Sequence, residues 1–269
     1  HRQMQVLLSV TGGVLLGVGL LHLLPHAWMQ LGRDLDATTG WMLLGFFLMF
    51  LLERAFHGHA HHTADGGPDG HVHAHHDGCG HSGHAHHHGP QPTGRWAWCG
   101  AFAGLALHSL ADGAALAAAV DADARHGAGM LAGFATFLAI LLHKPFDAGI
   151  IATLMVGSRA PARTRTIVNL LYALIVPCGA VAFLASLRLF GGQHDAVLGV
   201  ALALAAGAFL CIAAADLLPE VQFHSHDRVL LTASLALGLA IAWGISALER
   251  SSHGHALHGP GAAAADHGR

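Results

Sequence analysis

Apolar and polar positions in this chain separate into long blocks and do not alternate. Seven predominantly apolar runs lie at roughly 4–26, 38–56, 96–120, 127–156, 166–187, 196–218 and 229–248. About 20 apolar residues in a helix cross the hydrocarbon layer of a bilayer, and each run meets that length to within a residue or two. None has the period of two that a barrel strand needs, with one face in lipid and one in a lumen. The pattern predicts an all-α fold, a polytopic transmembrane helical bundle with seven spans in this chain.

One break between runs is long. Residues 57–95 are polar and Gly-rich and hold 13 of the 26 His. Such a segment cannot bury a core and is expected to be disordered. A second polar stretch, 251–269, carries His253, His255, His258 and His267. The expected organisation is therefore two spans in 1–56, a His-rich loop in 57–95, five spans in 96–250 and a His-containing tail in 251–269.

Composition narrows the class. Charged residues make up only 11% of the chain, against about 25% in soluble domains. The 13 Lys+Arg and 16 Asp+Glu leave a formal charge of −3. This excludes a soluble enzyme with a charged shell and a nucleic-acid binder. Cys79, Cys99, Cys178 and Cys211 have no metal-finger or disulfide-like spacing. The chain opens at His1 with no initiator Met, so its start reads as cut, with one or more helices expected upstream.

Arginine placement suggests an orientation. With seven spans, Arg2, Arg54, Arg95, Arg159, Arg163, Arg165 and Arg228 share one side, and Arg33, Arg125, Arg188, Arg250 and Arg269 the other. The compact triplet Arg159, Arg163, Arg165 lies close to helix ends, where basic residues favour the cytoplasm. The expected setting is a cell (inner) membrane with the His-rich loop cytoplasmic. Trp28 and Trp41 would then mark the outer interface, and Trp96 and Trp98 the inner one.

The ionisable residues inside the spans point to chemistry, because each costs about 2.5–3.5 kcal/mol to insert. The third span holds His108 and Asp112, and the fourth holds His143, Lys144 and Asp147. Both pairs read His-x-x-x-Asp, which puts an imidazole and a carboxylate on one helix face. Each pair falls about halfway along its span, and the two spans are antiparallel neighbours. Turned together, they offer two nitrogens and two carboxylates around one point, a donor set suited to Zn²⁺, with Fe²⁺, Mn²⁺ or Co²⁺ as alternatives. The absence of thiolates disfavours Cu⁺. The competing reading, stronger for one such pair than for two matched ones, is hydrogen bonding between helices. Pro145 removes a backbone donor next to His143 and so frees a carbonyl there.

These residues resemble the ZIP zinc/iron transporter family. His108-Ser109-Leu110-Ala111-Asp112-Gly113 resembles that family's His-Asn-x-x-[Asp/Glu]-Gly motif, with Ser in place of Asn. His143-Lys144-Pro145-Phe146-Asp147 resembles His-Glu-x-Pro-x-Glu, with Lys for Glu, Pro one place early and Asp for the final Glu. His22-Leu23-Leu24-Pro25, Leu51-Leu52-Glu53-Arg54 and Ala215-Asp216-Leu217-Leu218-Pro219-Glu220 resemble the family's second, third and seventh helices. The resemblance spans nearly all of 1–250 in order. It implies eight helices in the family, with the first missing here. It also implies a single transport site in place of a binuclear one, because Ser109 is a weak ligand and a protonated Lys144 cannot ligate. Lys144 is expected to pair with Asp147 or Asp112, unless it turns off the site face and snorkels.

Accessory expectations follow. His22 and His26, one turn apart, could relay metal inward from the outer face or be simple interfacial residues, and Asp121 and Asp123 lie near the same mouth, as cation attractors or as a solvated loop. Asp216 and Glu220, with His224, His226 and Asp227, would suit an exit path or be ordinary polar residues of a solvated surface. The His-rich loop is expected to bind metal. Gly12, Gly13, Gly17, Gly19, Gly100 and Gly104 are expected to allow close helix packing. The leading functional reading is a carrier that moves divalent metal ions, zinc foremost, toward the cytoplasm by alternating access, with no organic cofactor. Its partners are the ions and the lipid bilayer, and a homodimer is left open. The competing readings are a membrane-embedded zinc hydrolase, in which His108, His143 and Asp112 would hold Zn²⁺, and a non-transporting metal sensor.

Overall fold

The computed structural model describes residues 2–62, 97–125, 131–189, 191–223 and 228–256. Every regular element among them is helical: α1 (Arg2–Val18), a π-helical turn (Gly19–Leu23), α2 (Leu24–Gln30), α3 (Leu35–His62), α4 (Ala97–Arg125), α5 (Phe134–Gly157), α6 (Ala162–Leu189), a 3₁₀ turn (Gly191–Gln193), α7 (His194–Phe223) and α8 (Arg228–Ala256). The stretch from Arg2 to Gln30 runs on as one rod, so seven helical rods among the described residues are long and apolar enough to cross a membrane. Residues 63–96 and 257–269, and with them most of the expected loop and tail, lie outside the described residues.

The helices are apolar all round because two different surroundings both favour apolar side chains. Val14, Leu15, Val18, Ala118, Leu202 and Phe209 are buried in the bundle core. Leu43, Leu170, Leu174 and Val181 are exposed on its outside, where lipid tails take the place of water. Helix ends depart from the ends of the apolar runs for the same reason: apolarity stops where the bilayer stops, whereas backbone hydrogen bonding does not. Thus α3 continues to His62, α7 to Phe223 and α8 to Ala256.

The start of α5 corrects an expected boundary. The apolar run begins at 127, but the helix begins at Phe134. Gly133 has φ +74 and caps it from the left-handed region, which glycine enters without the Cβ clash that other residues meet. Residues 126–130 lie outside the described ones.

Three helix pairs pack most closely: α1 with α8, α3 with α7, and α4 with α6. Each is built on a reciprocal glycine pair. A Cβ on Gly13 would strike the Leu235 carbonyl oxygen, and one on Gly238 that of Val10; Gly45 and Gly207 face Leu204 and Met42 in the same way, and Gly113 and Gly179 face Val176 and Leu110. Gly100, expected among the packing glycines, faces open space. The opposing atoms at Gly113 are backbone and cannot swing aside. Gly113→Ala should therefore push α4 and α6 apart at about 1–3 kcal/mol and lower the melting temperature in detergent. Gly100→Ala should leave it unchanged or raise it, and equal effects of the two would remove the packing argument.

Candidate metal centre

Helices α4 and α5 pack side by side and bring the two His-x-x-x-Asp faces together. His108 Nε2 lies 3.3 Å from Asp112 Oδ2 and 3.6 Å from Asp147 Oδ2, and His143 Nε2 lies 3.3 Å from Asp112 Oδ2. One donor atom from each of the four side chains falls within 4.8 Å of the others. His108, Asp112 and His143 are buried, and Asp147 is 14% exposed.

Two features of this geometry favour a cation. His143 Nδ1 is 2.8 Å from the Ala139 carbonyl oxygen. A carbonyl only accepts, so Nδ1 carries the hydrogen, and the neutral ring turns its Nε2 lone pair toward the Asp112 oxygen. Two electron-rich atoms do not rest face to face in a buried place unless a proton or a metal lies between them. The distances also fit: bonds of about 2.0–2.2 Å in a tetrahedral zinc site put the ligand atoms roughly 3.3–3.6 Å apart.

Lys144 reaches into the same space. Its Nζ donates to Asp112 Oδ2 at 2.5 Å, to Ser109 Oγ at 2.9 Å and to Asp147 Oδ2 at 3.2 Å. It also lies 5.6 Å from the Tyr172 ring centre. Ser109 Oγ is 2.7 Å from the Leu105 carbonyl and 2.9 Å from the Tyr172 hydroxyl, which donates to Asp147 at 3.2 Å. With neutral imidazoles the group carries two negative charges and one positive. A single divalent ion turns −1 into +1, whereas two would leave a large uncompensated positive charge in a low-dielectric place. Tyr172 could not be singled out from the sequence. The only available signal is that it is the sole Tyr of the chain.

A second His/Asp group lies nearer one end of the bundle. His22 Nε2 is 3.4 Å from Asp123 Oδ2, and His26 Nε2 is 3.3 Å from Asp123 Oδ1. Asp123 also accepts the Gly133 N–H at 2.6 Å. It is therefore buried and engaged, which corrects the solvated-loop alternative. Asp121 differs: it joins Arg125 at 2.8 Å and His194 at 3.1 Å, and Arg125 reaches Asp195 at 2.9 Å. These contacts tie the end of α4 to the start of α7. The side chains of Asp216 and Glu220 lie outside the described residues, as do His224, His226 and Asp227.

Among the described residues the central group borders two cavities, of which one, of 390 Å³, reaches His108 beside Leu48, Ala111, Ala115 and Ala205. The other, of 540 Å³, reaches His108 and Asp147 between Met49, Glu53, Arg54, Ile212 and Ala215, the end from which α3 leads into the His-rich segment. Toward the other end, Ala115, Ala118, Ala119 and Ala122 of α4 and Ala135 and Ala139 of α5 are buried.

Comparison with known proteins extends this picture. Over 154 residues the chain is 33% identical to the zinc transporter ZIP9-B of Xenopus laevis, a match that covers 54% of this chain and 45% of that protein. The chain thus spans less than half the length of that relative. No solved structure is a significant match. The family model for ZIP zinc transporters matches residues 1–248, across all seven spans and both His/Asp groups. With that match, the chain belongs to the ZIP zinc transporter family.

Proposed function

We propose that this chain carries divalent transition-metal ions, zinc foremost, across a cell membrane to the cytoplasm, and that His108, Asp112, His143 and Asp147 hold the ion midway. The observation that carries the reading is the convergence of two imidazole nitrogens and two carboxylates inside 4.8 Å at the depth where polar groups are most costly. Membership in a family of zinc transporters supports the substrate and removes the hydrolase reading. Fe²⁺, Mn²⁺ and Co²⁺ accept the same donors, so choice among them rests on geometry and supply.

The arginine distribution favours a cytoplasmic His-rich loop. On that orientation the cavity beside Glu53 and Arg54 faces inward, and the buried alanine layer closes the outward route. The ion leaves through the cavity, and alternating access requires the alanine layer to part while the cavity closes. Metal arrival displaces any protons held by the imidazoles.

The test is radioactive zinc uptake into sealed proteoliposomes. Uptake by the parent should saturate with zinc, and His143→Ala should fall to the level of empty liposomes. Parental uptake by that variant would remove the central group from the route. A parent that binds zinc without filling the vesicles would favour the sensor.

A further inference from the structure

We propose that His22, His26 and Asp123 form a second divalent-cation site, a station on the closed side of the bundle that takes the same borderline metals as the central group. Its role as a station rests on the transport reading. Its existence as a site rests on its own geometry.

The local sequence explains why the two histidines face one carboxylate. Pro25 has no N–H to give the Leu21 carbonyl, and its ring crowds that residue. The rod answers with the π-helical turn Gly19–Leu23, where the Leu24 N–H reaches back to the Gly19 carbonyl. Such turns recur at functional places because they rotate side chains out of the α-helical register. His22 and His26 end with ring centres 5.0 Å apart, both aimed at Asp123.

The donor set is two imidazoles and a carboxylate. The spacings of 3.4 and 3.3 Å match the ligand–ligand edge of a tetrahedral site with bonds near 2.1 Å, roughly 3.4 Å. The Gly133 N–H orients the carboxylate at 2.6 Å, as outer hydrogen bonds do around metal ligands. Where the central group contains an ammonium, the ion pairs of Asp123 run to the imidazoles. Three protein ligands leave a fourth position for water, so an ion can arrive and leave. Access is graded in the right sense: Asp123 and His22 are 1% and 2% exposed, and His26 is 14% exposed.

The placement suits a waiting ion. Asp123 follows Asp112 by eleven residues on α4, about 16 Å along the axis. The buried alanines of α4 and α5 lie within that interval. An ion at the upper group would be held until the layer opens.

Anomalous diffraction at the zinc edge, from crystals of the full chain grown with zinc, locates each ion separately and is not confused by the His-rich segment. A peak is expected within bonding distance of His22, His26 and Asp123, and it should vanish in Asp123→Ala while the central peak persists. A central peak alone at saturating zinc overturns the inference. An upper peak alone supports it and overturns the central assignment, and a map with neither overturns both. If Asp123→Ala does not fold, His26→Gln replaces it at a partly exposed position. That variant should raise the KM for zinc uptake roughly tenfold or more, as the loss of a ligand-shell group does. A parental KM together with an unchanged upper peak would overturn His26 as a ligand and the cluster as a station on the route.

Discussion

Asp112→Ala is expected to abolish zinc uptake and to destabilise the folded chain in detergent. One oxygen of Asp112 meets His108, His143 and Lys144 at once, so its removal takes away a proposed metal ligand and the nearest counter-charge of a largely buried ammonium together. Breaking a buried pair from one side costs about 3–5 kcal/mol. The lower end is expected here, because Lys144 keeps Asp147 at 3.2 Å and Ser109 at 2.9 Å. A fall of several degrees in melting temperature, read with and without zinc, is the measurement. Zinc should raise the melting temperature of the parent through binding to the folded state and should raise that of the variant far less. Asp112→Asn separates the two roles: it keeps shape and hydrogen bonding, so the chain should fold more stably than the Ala variant while uptake stays lost. An Asn variant that carries zinc like the parent would take the Asp112 charge out of the site.

Lys144 substitutions should change how many ions the chain holds and how firmly. The ammonium stands among the donors and repels an arriving cation, while it holds the carboxylates together when none is bound. Lys144→Ala removes the repulsion. Zinc should bind more tightly, and release, and with it maximal uptake, should slow. Lys144→Glu goes further: it adds a carboxylate where the family's motif carries one, and the charge tally then favours a second ion. Metal content measured on parent and variant in parallel cancels the contribution of the His-rich segment, and the Glu variant should hold one more zinc per chain. Equal content in the two, together with parental uptake in the Ala variant, would mean that the lysine has no hold on the site.

The sequence by itself determined the seven spans, because the bilayer judges apolarity run by run and needs no tertiary partner to do so. It also determined the two His-x-x-x-Asp faces, since a spacing of four residues on a helix is a local property. The antiparallel pairing of their helices followed from the short connection between them. What it could not determine is how each rod is turned about its own axis. A helix that is apolar all round has no stripe to mark its inner face, so nothing along the chain says that Lys144 points inward, that Tyr172 of α6 reaches Asp147, or that Gly113 packs tightly while a Cβ on Gly100 would meet none of the described residues. The start of α5 stayed hidden for a related reason: the run from 127 reads as span by apolarity, and only the left-handed backbone at Gly133 ends the helix there. Asp123 is the clearest case. It stands 97 residues from His26 in the chain and bonds to it in the fold, through a π-helical turn, a glycine cap and the packing of three helices that no single stretch of sequence encodes.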